Sequence, residues 1–149
     1  MLYTEMTKKA MKLCFDAHKD QVDKSGMPYV FHPLILAEKM TTEEEITVAL
    51  LHDVVEDTNY TIEDLQDMGF SETVIEALKK MTHDPAIPYM DYVKGISTNP
   101  IATKVKLADL RHNSDLNRLD QADSKAIARV KKYKSAIEFL ESVAWQATK

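Results

Sequence analysis

His52 and Asp53 follow an apolar run, residues 47–51, in the middle of a segment whose spacing predicts a helix. Charged side chains are almost never fully buried without a partner. Glu56 and Asp57 come four residues after this pair, so a continuous helix would place the two pairs one above the other. Ionisable groups on an apolar helix require a compensating charge, and a bound cation would supply it.

Two more ionisable residues stand in apolar surroundings and complete a candidate cation site. His32 follows the hydrophobic residues 29–31 at the start of a predicted helix, and Asp109 lies within residues 105–110, where an apolar helix face is expected. Together with His52 and Asp53 they offer two imidazoles and two carboxylates without sulfur. Such a ligand set favours Mn²⁺, Fe²⁺ or Mg²⁺ over a closed structural zinc site.

Each of these residues, considered alone, could have an ordinary structural role instead of binding a cation. His32 could cap a helix, and Asp109 could pair with Arg111 or Lys106. The joint occurrence of several such groups in apolar settings favours the cation site over separate structural roles.

The composition predicts a single all-α domain over residues 1–149. Hydrophobic residues make up 44% and charged residues 29%, which is the globular range. The chain has only three glycines, too few for the turns of a β-sandwich or barrel. A chain of this length buries roughly 68–70% of its unfolded surface, enough for a hydrophobic core.

Apolar periodicity and capping signals predict seven to nine helices and no confident strand. The predicted segments are residues 3–19, 32–40, 42–57, 61–68, 71–81, 88–97, 99–115 and a last helix from 123 or 124. We expect the last helix to bury Ile127, Val130, Ile137 and Leu140. Its basic run, Arg129, Lys131, Lys132 and Lys134, is interpreted as a solvated face. The segment 83–87, with His83-Asp84, is interpreted as a solvated turn.

Charge and cysteine content exclude several classes of protein. The net charge of −5 disfavours nucleic acid as a partner, because that binding depends on cationic side chains. A single cysteine, Cys14, excludes an intramolecular disulfide and a cysteine-rich metal centre. No apolar run approaches the roughly 18 residues of a membrane span. We therefore expect a cytoplasmic protein without a membrane partner, and the sequence does not indicate its oligomeric state.

Four motifs, in the right order, resemble those of the HD-domain phosphohydrolases. More narrowly, they resemble the hydrolase domain of the RelA/SpoT family and the small alarmone hydrolases. The motifs are AHKDQ at 17–21, SGMPYVFHP at 25–33, ALLHDVVEDT at 49–58 and KLADLRHN at 106–113. Four ordered motifs are far more specific than the His-Asp pair alone.

The resemblance implies an HD-type helical bundle with one bound Mn²⁺. Its ligands would be the four residues already singled out: His32, His52, Asp53 and Asp109. The activity implied is removal of pyrophosphate from the 3′ position of guanosine tetra- or pentaphosphate.

The resemblance also implies roles for residues around the metal. Glu56 and Asp57 would lie close to the hydrolytic water, and Lys24 and Asn113 would bind the nucleotide. We expect Lys106 and Arg111 to be further candidates for holding the anionic substrate, although both could equally be exposed helix residues.

Asp23 stands where many family members have an arginine that packs on guanine. This difference favours, as an alternative, the same chemistry on another nucleotide or phosphoester. A second alternative is a catalytically silent module that binds a nucleotide and regulates a partner. The presence of Glu56 and Asp57 argues against the silent module.

Overall fold

The chain folds as a bundle of α-helices in a computed structural model that describes residues 1–147 and the side chains of residues 1–144. The helices are α1 (Glu5–His18), α2 (Phe31–Glu38), α3 (Glu43–Leu51), α4 (Val54–Asp57), α5 (Ile62–Asp67), α6 (Glu72–Met81), α7 (Tyr89–Ile96), α8 (Pro100–Asn113) and α9 (Ser124–Ala147). A short 3₁₀ turn, Leu116–Arg118, joins α8 to α9. The described residues form no strand beyond an isolated bridge between Val22 and Pro28, which confirms the predicted all-α class.

The helix starts follow the capping signals in the sequence. The hydroxyl of Thr42 accepts the backbone N–H of Glu45 at 3.2 Å, and the Glu45 carboxylate accepts the N–H of Thr42 in return. Asn99 caps α8 by accepting the N–H of Ala102 at 2.9 Å, and Pro100 occupies the first helical position. Each cap satisfies a backbone donor that a helix start leaves free.

Helix α3 lies at the centre of the bundle. All of its residues from Ile46 to Leu51 are buried, and α1, α2, α6 and α8 pack around it. A helix that is apolar on every side is stable only when neighbours cover it on every side. His52, directly after the last residue of α3, is therefore held deep in the protein.

The predicted continuous helix over residues 42–57 is wrong at one point, because the helix breaks at His52 and Asp53. The imidazole of His52 binds the backbone oxygen of Ala49 through Nδ1 at 2.7 Å. In a continuing helix that carbonyl would accept the N–H of Asp53. The chain turns at Asp53, with φ −105° and ψ 0°, before α4 begins at Val54. The two pairs therefore do not share one continuous helix, although the backbone N–H of Asp57 still donates to the backbone oxygen of Asp53 at 3.0 Å and places Asp57 one turn after Asp53.

The buried face of α9 also differs from the prediction. Ile127 is 50% exposed, whereas its neighbour Ala126 and the more distant Ala136 and Leu140 are buried. Helix α9 packs mainly on α8, and alanine side chains leave room for a close approach of two helices. Of the predicted core residues, Leu140 is fully buried and Val130 and Ile137 are half-buried.

No helix of the described chain has the length and apolar character needed to cross a membrane.

We predict that Leu36→Ala lowers the free energy of unfolding by about 2–5 kcal/mol, because it leaves a cavity beneath α2. Leu36 is fully buried, while the adjacent Ile35 on the same helix is 39% exposed. Ile35→Ala is the matched control, and we expect it to cost less than about 1 kcal/mol. Chemical denaturation measures both. Equal losses for the two variants would contradict the packing described here.

Candidate metal and active site

Side chains from α2, α3 and α8 meet in one buried cluster. His32 lies in the first turn of α2, His52 at the end of α3 and Asp109 in α8, and all three are buried. One ligand atom of each lies within 4.8 Å of the others. Asp53 adjoins them, with Oδ2 3.0 Å from Nε2 of His52. The structure thus brings together the four residues predicted as metal ligands.

The imidazole of His52 shows that the cluster suits a cation. Its Nδ1 must carry the hydrogen, since the Ala49 carbonyl that it contacts can only accept. In the neutral ring, Nε2 then presents a lone pair to Asp53 and, at 3.5 Å, to Asp109. In that neutral form the buried Nε2 has no donor to satisfy it within the described residues, because ionised Asp53 and Asp109 offer only acceptor oxygens. A lone pair that faces carboxylates is favourable only with a positive charge between them.

The electrostatics of the cluster lead to the same requirement. Burial by itself lowers the pKa of His52, but the carboxylates of Asp53 and Asp109 outweigh burial and raise that pKa well above its ordinary value. Burial raises the pKa of Asp53, while the attraction of His52 lowers it to about 2. A positive charge is therefore favoured at this point, and either a proton on His52 or a metal ion can provide it.

Two aromatic residues orient the side chains of the cluster. Nδ1 of His112 lies 2.6 Å from Nδ1 of His32, and the two rings stack with centroids 4.9 Å apart. Burial, followed by the nearby Arg118, lowers the pKa of His112 to about 4, so His112 is neutral near pH 7. The hydroxyl of Tyr29 donates to Oδ2 of Asp53. Such contacts fix the direction in which a metal ligand points.

Asp109 is held by two residues of its own helix. Nζ of Lys106 lies 2.9 Å from Oδ2, and Nδ2 of Asn113 donates to Oδ1 at 3.0 Å. Burial raises the pKa of Asp109, but Lys106 and the two histidines hold it well below its usual range. Asp109 is therefore ionised, as a metal ligand must be.

Glu56 and Asp57 lie on α4, one turn beyond the cluster. Burial raises the pKa of Glu56, and a hydrogen bond from the backbone N–H of His83 partly opposes the rise. Burial, followed by repulsion from Asp53, raises the pKa of Asp57. Carboxylates with raised pKa values are suited to proton transfer near neutral pH.

Two cavities open beside the cluster and meet at Asn113 and Tyr133, which line both. The larger has a volume of about 400 Å³ and its wall includes Tyr29, Lys24, Arg118 and Arg129. The smaller, of about 160 Å³, is lined by Glu56, Asp109, Lys106, Tyr89, Tyr92 and Lys132. The predicted substrate-binding residues Lys24, Asn113 and Lys106 therefore all face a cavity next to the cluster.

Arg111 is separate from this group. Its Nη2 lies 2.6 Å from Oε1 of Glu141, and its side chain is 54% exposed. Arg111 lines neither cavity. Its expected contact with substrate is therefore not supported, because its position in α8 directs the guanidinium toward the outer side of α9.

Several residues of the site were not found from the sequence. Arg129 and Lys132 were assigned to a solvated basic face, yet both line a cavity. The sequence signal that could have identified Arg129 and Lys132 is their spacing of three residues, with Tyr133 next to Lys132, which places them on adjoining parts of one helix face.

His83 does lie in a loop as predicted, but its backbone N–H binds Glu56. No local pattern indicates that contact.

Comparison with known proteins identifies several that are similar to this chain in sequence. No family model matches the chain. It is 33% identical over 129 residues to the zebrafish (Danio rerio) guanosine-3′,5′-bis(diphosphate) 3′-pyrophosphohydrolase MESH1, covering 77% of this chain and 71% of that protein. The mouse (Mus musculus) MESH1 protein is 35% identical over 120 residues, covering 70% of this chain and 66% of the relative, slightly under two thirds.

A much longer relative and a solved structure are also similar to this chain. The bifunctional (p)ppGpp synthase/hydrolase SpoT of Escherichia coli K12 is 31% identical over 121 residues, which are 71% of this chain but only 17% of SpoT. The solved structure of a metazoan SpoT ortholog, described as hydrolysing ppGpp, superposes with a TM-score of 0.70 at 20% identity. It covers 99% of this chain and 98% of the other, and it shows the same fold. The chain belongs to the family of guanosine-3′,5′-bis(diphosphate) 3′-pyrophosphohydrolases that includes the MESH1 proteins.

Proposed function

We propose that the protein is a metal-dependent hydrolase that removes pyrophosphate from the 3′ position of guanosine-3′,5′-bis(diphosphate). The observation that carries the proposal is the cluster of His32, His52, Asp53 and Asp109, in which Nε2 of the buried His52 faces the carboxylates of Asp53 and Asp109. Family membership supports the same substrate, since that is the substrate in the names of the MESH1 relatives.

The proposed cofactor is one divalent ion, Mn²⁺, held by the four residues of the cluster. Two imidazoles and two carboxylates match the mixed nitrogen and oxygen ligation that Mn²⁺ accepts. When bound, such an ion acidifies water and offsets the negative charge of phosphoryl oxygens.

Glu56 is the proposed proton acceptor. It lines the smaller cavity together with Asp109, its raised pKa suits proton transfer, and the N–H of His83 holds its carboxylate in place. The oxygen of water attacks the phosphorus joined to the ribose 3′ oxygen, and the bond between that phosphorus and that oxygen breaks. One water proton passes to Glu56 and from Glu56 to the ribose 3′ oxygen, while the remaining hydroxyl stays on phosphorus and pyrophosphate leaves. Asp57 is proposed to orient the same water.

The larger cavity is the proposed nucleotide site. Its volume of about 400 Å³ falls in the range of roughly 300–1,000 Å³ that is typical of organic ligands. Lys24, Arg118 and Arg129 line it beside two carboxylates, Asp23 and Asp115, so its charged lining is cationic by one in a protein whose net charge is −5. This local charge allows a strongly anionic substrate to bind an acidic protein.

A second candidate function is the same hydrolysis on another nucleotide or phosphoester, which Asp23 favours because a carboxylate on the cavity wall cannot stack on guanine. Its Oδ1 accepts the backbone N–H groups of Ser25 and Met27 at 2.8 and 3.1 Å, so the carboxylate orders the loop on the cavity wall. Its Oδ2 lies 3.7 Å from Nη2 of Arg118, which brings a guanidinium to the same wall.

A panel of phosphorylated nucleotides incubated with the Mn²⁺-loaded protein separates these possibilities. Pyrophosphate release from guanosine-3′,5′-bis(diphosphate), with no comparable turnover of the others, supports the proposal. Phosphate release from many nucleotides supports the second candidate. Absence of any turnover contradicts both and favours the silent regulatory module.

We predict that Asp109→Asn abolishes both metal binding and hydrolysis, because it removes an ionised ligand while keeping the side-chain shape. Glu56→Ala should lower kcat by about 10²–10⁴-fold with the metal retained. Elemental analysis and a pyrophosphate-release assay measure the two effects. Asp67→Asn, at the exposed end of α5, is the control that should change neither. Full activity of Asp109→Asn after dialysis against a chelator would refute the assignment.

We also predict that removal of divalent ions inactivates the protein and lowers its thermal stability. A ligand present at 100 times its Kd stabilises the folded state by about 2.7 kcal/mol, so Mn²⁺ should raise the melting temperature of the wild type. The same addition should not change the melting temperature of Asp109→Asn. Differential scanning calorimetry of both proteins, with and without Mn²⁺, provides the comparison, and an equal rise in the two would place the bound metal elsewhere.

A further inference from the structure

An aromatic wall, formed by His83, Tyr89 and Tyr92, borders the smaller cavity. The ring of His83 stacks on Tyr92 with centroids 4.4 Å apart, and the hydroxyl of Tyr92 donates to the backbone oxygen of Met81 at 2.7 Å. Tyr89 lies beside Tyr92, with ring centroids 5.9 Å apart. These contacts fix the wall in position at the start of α7.

Lys132 reaches this wall from α9. Its Nζ lies 4.0 Å from the centre of the Tyr89 ring, which is a close cation–π contact. Such a contact positions an ammonium group but does not neutralise it. Lys106, in the same cavity, differs because its ammonium is bound to the carboxylate of Asp109 at 2.9 Å. Among the described residues, no carboxylate pairs with Lys132.

The hydroxyl of Tyr89 provides a second, independent observation. Its oxygen is buried, and it has no hydrogen-bond partner within the described residues. Buried hydroxyl groups in proteins nearly always have a partner. One wall of the cavity therefore combines an unneutralised ammonium with an unused hydroxyl donor, and both groups suit an anion.

We propose that the smaller cavity binds the diphosphate group that leaves the substrate. In this proposal Lys132 is the cationic residue that contacts the diphosphate, and Tyr89 positions the ammonium group of Lys132. This inference rests on the proposed function, because it assigns one part of that substrate. The volume of about 160 Å³ lies below the roughly 300 Å³ that an organic ligand site needs, so the cavity suits a small anion rather than a nucleoside. Glu56 and Asp109 line the same cavity, which places the anion next to the reacting atoms.

The neighbours of Lys132 provide matched controls. Lys131 and Lys134 lie on the same exposed stretch of α9 and carry the same charge, but they line neither cavity. A general electrostatic attraction of anions would depend on all three lysines alike, whereas a bound diphosphate would depend on Lys132 alone.

The test measures binding of inorganic pyrophosphate to the Mn²⁺-loaded full chain by isothermal titration calorimetry. Lys132→Gln should weaken binding by about tenfold or more, the scale of a lost hydrogen bond to a charged group. Lys132→Arg keeps the charge and the ring contact and should restore most of the affinity. Lys131→Gln and Lys134→Gln should stay within about twofold of the wild type. Equal weakening by all three glutamine variants, or no weakening by Lys132→Gln, would overturn the proposal.

A variant of Tyr89 tests the positioning role. Tyr89→Leu removes both the ring face and the hydroxyl, and we expect it to weaken pyrophosphate binding by roughly fivefold. Unchanged affinity in Tyr89→Leu would show that the ring does not position Lys132. Thermal unfolding of the variant, compared with that of the wild type, separates this effect from a general loss of structure.

Pyrophosphate binding requires no turnover, so the two proposals can fail separately. Loss of binding in Lys132→Gln combined with no hydrolysis of guanosine-3′,5′-bis(diphosphate) by the wild type would support the anion site and refute the proposed function. Hydrolysis by the wild type with pyrophosphate affinity independent of Lys132 would support the function and refute the anion site.

Discussion

The lone pair on Nε2 of His52, which faces the carboxylates of Asp53 and Asp109, is the constraint on which the site depends. Ionised groups in a protein interior are tolerated only when partners compensate for their lost hydration. Here Lys106 compensates for part of the negative charge, and the remainder requires a positive charge at Nε2, supplied by a proton or by a metal ion. Neighbouring donors also offset the two carboxylates, since the hydroxyl of Tyr29 donates to Asp53 and the amide of Asn113 donates to Asp109.

Charge is distributed unevenly over the molecule, and this distribution matches the proposed chemistry. The chain carries a net charge of −5, yet basic side chains line both cavities beside the cluster. Helix α9 contributes to both, through Arg129 to the larger and Lys132 to the smaller. One helix therefore places a basic side chain in each of the two cavities beside the cluster.

Much of the fold, and the ionisable residues that meet in the cluster, could be predicted from the sequence, because the relevant signals are local. The buried α3 follows from its unbroken apolar run, and the starts of α3 and α8 follow from the caps at Thr42 and Asn99. An ionisable pair directly after an apolar run indicates a functional site, since burial of such groups is unfavourable without one. His52 and Asp53 could be recognised in this way from residue types and spacing alone.

Other features were decided by tertiary packing. The interruption of the helix at His52 depends on the bond from its imidazole to the backbone oxygen of Ala49. The exposure of Ile127 depends on how α9 lies on α8. The side chain of Arg111 pairs with Glu141 instead of lining a cavity. The sequence by itself determined which segments are helical and which side chains are unfavourable when buried alone. Only the tertiary structure decided which face of each helix meets the site, because that choice depends on contacts between residues distant in the chain, which a local periodic pattern does not encode.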